Sequence, residues 1–202
     1  AETVLTQICA DGLQIPLEQV NWCQPETAHS PDTGPAGASR GTFIGGNSIL
    51  MAIAALKGQI AACLCVNSDT VSFSHGRVFV EEHPYSWAKI ARLLSAHGCQ
   101  DAAAMYKVPD AKWDNNRCQG DAFISYVYSC HAAEVEVDTD TGQVKVLQMV
   151  GCHDAGRIIN PQMAAGQVTG GMVMGIGMAL TEAVETDPKN GIIRSDNFDS
   201  YI

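Results

Sequence analysis

The stretch HAAEVEVDTDTGQVKVLQMV, His131 to Val150, decides the fold class. Apolar and polar residues alternate through Ala133-Glu134-Val135-Glu136-Val137 and again through Val144-Lys145-Val146, the period of a half-buried strand. Between the two runs, Thr139-Asp140-Thr141-Gly142 places a glycine where a tight turn needs positive φ. The segment reads as an antiparallel hairpin.

Working outward from it, VSFS from Val71 and RVFV from Arg77 alternate about His75-Gly76 and form a second hairpin, with Ser86 as N-cap of a helix through Leu94. Lys107 to Gln119 has no periodicity and reads as a loop. Nearer the N-terminus, Glu2 to Asp11 is a helix with Val4, Leu5, Ile8 and Cys9 on one face, and Leu17 to Trp22 is a strand after Pro16. Asn47 to Cys65 is a helix composed almost wholly of Ile, Leu, Met and Ala, which implies burial on most sides. Downstream, the chain turns through Asn160-Pro161 into a glycine-rich helix. Hairpins and helices without a strict strand-helix-strand rhythm argue for an α+β fold, a two-layer α/β sandwich with antiparallel hairpins and two long buried helices. The chain divides into a first subdomain, 1–120, and a second, 121–202, that holds the long hairpin and the glycine-rich helix.

Composition narrows the function classes. The 202 residues are 46% hydrophobic and 17% charged, with a formal net charge of -10, so this is a globular chain that repels a phosphate backbone. Nucleic acid is excluded as a partner. The eight cysteines show no C-x-x-C pair, which fits buried thiols in a reducing cytosol and offers no ligand set for zinc or an iron–sulfur cluster. AETVLTQICADG lacks a basic region before an apolar core, so it is not a signal peptide. Met163 to Leu180 is uncharged and contains two G-x-x-x-G spacings, but Gln167, Thr169 and the absence of an aromatic belt argue against a membrane span. Five glycines in that helix cost roughly 4 kcal/mol relative to alanine. Something must approach its backbone closely, whether a neighbouring helix or a ligand.

PDTGPAGASRGTFIGG, Pro31 to Gly46, concentrates turn formers around Arg40. No Lys follows its glycines as a Walker loop requires, and Gly175-Ile176-Gly177 lacks the strand and third glycine of a dinucleotide fingerprint. Gly34, Gly37, Ala38, Ser39 and Gly41 could form a backbone cradle for an anion ahead of a helix, but composition alone favours a surface turn with a solvated Arg40. Asp154 before Gly156 reads as a turn aspartate. The six histidines (His29, His75, His83, His97, His131 and His153) show no i, i+4 pairing, which favours structural roles. Spacing nominates no nucleophile or general base.

Three motifs together, PDTGPAGASRGTFIGGN, AAEVEVDTDTGQVKV and HDAGRIINPQMAAGQVTGGMVMGIGMALTE, resemble the molybdenum-binding subunit of the xanthine dehydrogenase and aldehyde oxidoreductase family, the molybdenum hydroxylases. The likeness runs over nearly the whole chain in the family's order. It implies a molybdenum cofactor with molybdopterin, in the cytosine dinucleotide form. Gly37, Ala38, Ser39, Arg40 and Gly41 match the family loop that holds the pterin, with Ala38 on the substrate side, and Gln167 matches a glutamine that hydrogen-bonds the cofactor. No residue here is implied as a direct metal ligand. The implied reaction hydroxylates an N-heterocycle of purine or nicotinate type, or an aldehyde, with water as oxygen source. Its partners are the remaining segments of the molybdenum subunit and iron–sulfur and flavin (FAD) domains or subunits, in the cytoplasm.

The resemblance also marks departures. The family's Gly-Gln-Gly would precede Ala1, and its catalytic glutamate would lie beyond Ile202. Glu134, Glu136, Glu182 and Glu185 do not match that glutamate's motif, so no catalytic residue is expected within the chain and the isolated piece is expected to be inactive. Thr169 stands where an acid is common and Met174 where Gln is common. The alternative reading is a structural or interaction domain that keeps the fold without the chemistry.

Overall fold

A computed structural model describes residues 2–28, 30–34, 37–99, 101–110 and 112–197, so His29 and most of the terminal DNFDSYI lie outside the described residues. The chain forms two compact units, Ala1–Gly120 and Asp121–Ile202. Both mix helices with small antiparallel sheets, the α+β class that the hairpin pattern dictates.

In the first unit, α1 (Glu2–Leu13) lies along α2 (Gly41–Leu64). Glycines make that approach possible. A Cβ at Gly45 would stand 2.8 Å from Leu5 Cδ2, one at Gly46 would stand 3.0 Å from Ile8 Cδ1, and one at Gly12 would stand 2.5 Å from Ile53 Cδ1. This explains why α2 begins at Gly41 rather than at Asn47: Gly45 and Gly46 look like loop residues, yet they are the helical surface on which α1 rests. Replacing Gly45 by Val, which adds two methyls beyond the Cβ on this face, is expected to destabilise the unit by about 1–3 kcal/mol through overpacking against Leu5. A lowered midpoint in urea at unchanged slope is the check.

At its far end α2 closes on Cys65 in the left-handed conformation (φ 55°), and Val66 N donates to Ala61 O at 3.0 Å. The chain then enters β1 (Val71–Ser74), β2 (Arg77–Val80) and β3 (His83–Tyr85), an antiparallel sheet in the order β1-β2-β3. The hairpin about His75-Gly76 has the expected register, Val71 opposite Val80 and Ser74 opposite Arg77. Helix α3 (Trp87–Ala96) is capped by Ser86, whose Oγ accepts from Lys89 N at 3.3 Å. Ile60 and Ala61 of α2, Val71, Phe73, Val78 and Val80 of the sheet, and Ile90 of α3 form one buried cluster. Phe73 and Trp87 rings extend it, 5.1 Å apart.

Two segments differ from their sequence reading. Leu17–Gln19 is a single 3-10 turn, with Val20 N donating to Leu17 O at 3.0 Å, and residues 20–22 pair with no strand among the described residues. β-forming side chains do not make a strand without a partner edge. Conversely, the expected loop 107–119 contains β4 (Lys112–Asp114), which pairs with β5 (Gln119–Asp121) through a turn in which Asp114 Oδ1 accepts from Asn116 N at 2.9 Å.

The second unit is built on β6 (Ser129–Val137), β7 (Val144–His153) and α4 (Pro161–Leu180). Strands β6 and β7 pair from Ser129–His153 to Val137–Val144, with a bulge at Glu134/Val135. In the connecting turn Gly142 has φ 76°, and Asp138 Oδ1 accepts from Asp140 N at 2.9 Å and Thr141 N at 3.3 Å. A hydrogen bond from the Thr141 side chain, then these backbone bonds, holds the Asp138 carboxyl below its ordinary value. The turn therefore gains stability above the ordinary aspartate range and loses it as pH falls through the lowered pKa.

Helix α4 starts where the sequence places it. Asn160 caps it by accepting from Met163 N at 2.9 Å, and Pro161 occupies the first turn. Ala164, Val168, Met172 and Ile176 form a half-buried stripe at i, i+4 spacing. Met172 Sδ and Val168 Cγ1 lie 3.0 and 3.2 Å from where a Gly151 Cβ would be, so this stripe faces the hairpin. The expectation of two long buried helices does not hold within these residues: α2 buries only Gly46, Ile60 and Ala61, and α4 buries none. Helix α4 is packed along one side only, whereas α2 is partly covered on most sides and is exposed chiefly at its start and at Leu50, Met51 and Ala54. Both are also long and apolar enough to cross a membrane by length and composition.

Candidate cofactor-binding site

The loop ahead of α2 is held by local bonds. Asp32 Oδ1 accepts from Gly34 N at 2.8 Å, and Gly34 has φ 69°. From Gly37 the chain makes a turn in which Ala38 (φ 54°) and Ser39 (φ 52°) are both left-handed, and Arg40 N donates to Gly37 O at 3.4 Å. Two consecutive non-glycine residues in this region cost about 1–3 kcal/mol each, as Glu81 and Glu82 also do in the β2–β3 turn. Arg40 is the N-cap of α2 but gives no side-chain cap, and the first turn contains no acid. Among the described residues, the N-cap side chain leaves the N–H groups at the start of this 24-residue helix uncapped. A Cβ at Gly37 or Gly41 would meet nothing within 4 Å. This arrangement fits an anionic, phosphate-bearing group such as molybdopterin.

In the second unit, Gln167 lies on α4 beside the hairpin-facing stripe, is exposed, and its side-chain amide has no hydrogen-bond partner among the described residues. Gly166, Gly170, Gly171 and Gly175 likewise have nothing within 4 Å of a built Cβ. These four glycines of α4 therefore do not serve the hairpin, which touches Val168 and Met172, while a Cβ at the fifth, Gly177, would meet the Glu182 side chain. They keep a smooth backbone open on the helix's other sides.

Asp154 is a turn residue, its Oδ1 accepting from Gly156 N at 3.1 Å. The histidines hold a surprise that linear spacing hid: His131 Nε2 and His153 Nε2 are 2.6 Å apart, with ring centroids at 4.8 Å. The pair forms across the hairpin, where His131 stands opposite Gly151 and His153 opposite Ser129, so only the strand register could have revealed it. The expectation of buried thiols also fails. Cys9, Cys63 and Cys99 are half-buried, and Cys23, Cys65, Cys118, Cys130 and Cys152 are exposed. Desolvation, with Cys99 beside it, pushes the Cys63 thiol up. Less Cys63 is thiolate at pH 8, and iodoacetamide is expected to label it more slowly than Cys130; quantitative mass spectrometry of timed samples checks the order.

Against known proteins, residues 1–202 match the molybdopterin cofactor-binding domain family. The putative xanthine dehydrogenase molybdenum-binding subunit XdhA of Escherichia coli K12 is 27% identical over all of this chain and 27% of its own length. Subunit gamma of the 6-hydroxypseudooxynicotine dehydrogenase complex of Paenarthrobacter nicotinovorans is 30% identical over 90% of this chain and 23% of its own. Among solved structures, quinoline 2-oxidoreductase from Pseudomonas putida 86 superposes with a TM-score of 0.76 at 25% identity, over 100% of this chain and 26% of that one. The chain spans about a quarter of the length of these relatives. It belongs to the molybdopterin cofactor-binding domain family, within the xanthine dehydrogenase and aldehyde oxidoreductase group of molybdenum proteins.

Proposed function

We propose that this chain is one part of the cofactor-binding region of a molybdenum hydroxylase that oxidises an N-heterocycle or an aldehyde with water as the oxygen source. The observation that carries the reading is the left-handed turn at Ala38 and Ser39 leading into the uncapped start of α2. In it Gly37 to Gly41 hold the pterin through backbone donors, and Ala38, having only a methyl group, borders the substrate without crowding it. Gln167 donates its side-chain amide to the cofactor, and the bare glycines of α4 let that group approach the helix. When bound, the molybdenum centre supplies the two-electron oxidation of the substrate carbon. The names of the relatives, which include a xanthine dehydrogenase, a quinoline oxidoreductase and aldehyde oxidoreductases, support either substrate class.

On this reading the cofactor is the cytosine dinucleotide form, electrons leave through iron–sulfur and FAD partners, and the protein works in the cytoplasm. The 202 residues alone hold no match to the family's catalytic glutamate, so the purified piece is expected neither to hydroxylate nor to keep much molybdenum. Gln167→Ala in the intact subunit tests the site. Losing one hydrogen bond of about 1–1.5 kcal/mol is expected to weaken cofactor retention about tenfold. Molybdenum measured after dialysis reads the effect, and unchanged retention would remove Gln167 from the site.

A further inference from the structure

Cys130 on β6 and Cys152 on β7 stand directly opposite each other in the antiparallel register, and both are exposed free thiols. Directly opposed residues have Cα atoms about 4.5–5.5 Å apart. A disulfide spans roughly 4.4–6.8 Å between Cα atoms, so the pair can close without moving the backbone. Strand alternation settles which way the sulfurs face. Gly151, the neighbour of Cys152, faces Val168 and Met172 of α4, so Cys152 and its partner Cys130 lie on the opposite face. That face also carries Glu134 and Gln148, and beyond the bulge Glu136 and Lys145, beside Ala132 and Val150. It is the charged side of the hairpin, where water-borne oxidants reach the sulfurs.

We propose that Cys130 and Cys152 are a redox-active cross-strand pair that a peroxide closes into a disulfide at the base of the hairpin. One thiolate attacks a peroxide oxygen and breaks the O–O bond, giving a sulfenic acid and a hydroxide that leaves as water with the thiol's proton. The second sulfur attacks the sulfenic sulfur, the S–S bond forms, and a second water departs. Two thiols lose two electrons and two protons while one hydrogen peroxide becomes two waters; a small-thiol reductant reverses the step by exchange. Closure ties together the strand ends next to His131, His153 and the turn at Asp154 that leads into α4.

The test uses the intact subunit in its complex, reduced, freed of reductant, and treated with hydrogen peroxide before iodoacetamide blocks the remaining thiols. A non-reducing digest is expected to yield a peptide joining Cys130 to Cys152, with joint loss of alkylation at both and recovery of both after dithiothreitol. In Cys152→Ser the cross-link disappears and dimedone traps a sulfenic acid on Cys130. Full alkylation of both cysteines at a peroxide dose that oxidises dithiothreitol in a parallel, protein-free tube would overturn the proposal, as would oxidation of one cysteine without the other in the wild type.

Discussion

Replacing Ser39 by valine in the intact subunit is expected to cut molybdenum content and hydroxylase activity by about 5- to 150-fold, while Ser39→Gly keeps both. Ser39 has φ 52° next to Ala38 at φ 54°, a conformation that glycine adopts freely and a β-branched residue resists. Forcing valine there costs about 1–3 kcal/mol, and each 1.4 kcal/mol is tenfold in an equilibrium constant. The turn escapes the strain by rotating Ser39 out of the left-handed region, which turns the backbone N–H groups from Gly37 to Gly41 away from their ligand. The glycine variant separates the two possible contributions: retention with glycine assigns the role to the backbone, and loss with glycine would assign it to the Ser39 hydroxyl.

The second large effect is on stability. Ile60 is fully buried among Val71, Phe73, Val78, Val80 and Ile90, where α2 meets the three-stranded sheet and α3. Ile60→Ala removes three carbons from the middle of that cluster, and the transfer and cavity contributions together are expected to cost about 2–5 kcal/mol. Calorimetry or urea unfolding of the subunit reads it. Because the same helix begins at the cofactor loop, a smaller loss of molybdenum is expected to accompany the loss of stability.

The sequence carried the long hairpin clearly, because strict alternation and a glycine at the required turn position act through local geometry. The helix cap at Ser86 and the turn through Asn160-Pro161 into α4 were legible for the same reason. The start of α2 was not, since Gly41 to Gly46 resemble loop residues until Leu5 and Ile8 are seen to rest on Gly45 and Gly46. The strand expected at Leu17–Trp22 failed for want of a partner edge, which no local pattern reveals. At the site, residue types allowed a backbone cradle in the loop and only the family resemblance pointed to Gln167, while left-handed Ala38 and Ser39 run against those residues' own preferences. The His131–His153 pair and the Cys130–Cys152 pair exist only through register, twenty-two residues apart in the chain. The thinly covered faces of α2 and α4 could not be foreseen from apolar composition, which reports what a helix can bury and not whether its partner is present.

The most direct test of the central claim is metal and pterin analysis of the intact subunit, purified in its complex from cells supplied with molybdate. The account predicts near-stoichiometric molybdenum together with a pterin that carries cytosine nucleotide, both lost in parallel in Ser39→Val. A folded complex containing neither molybdenum nor pterin would contradict it.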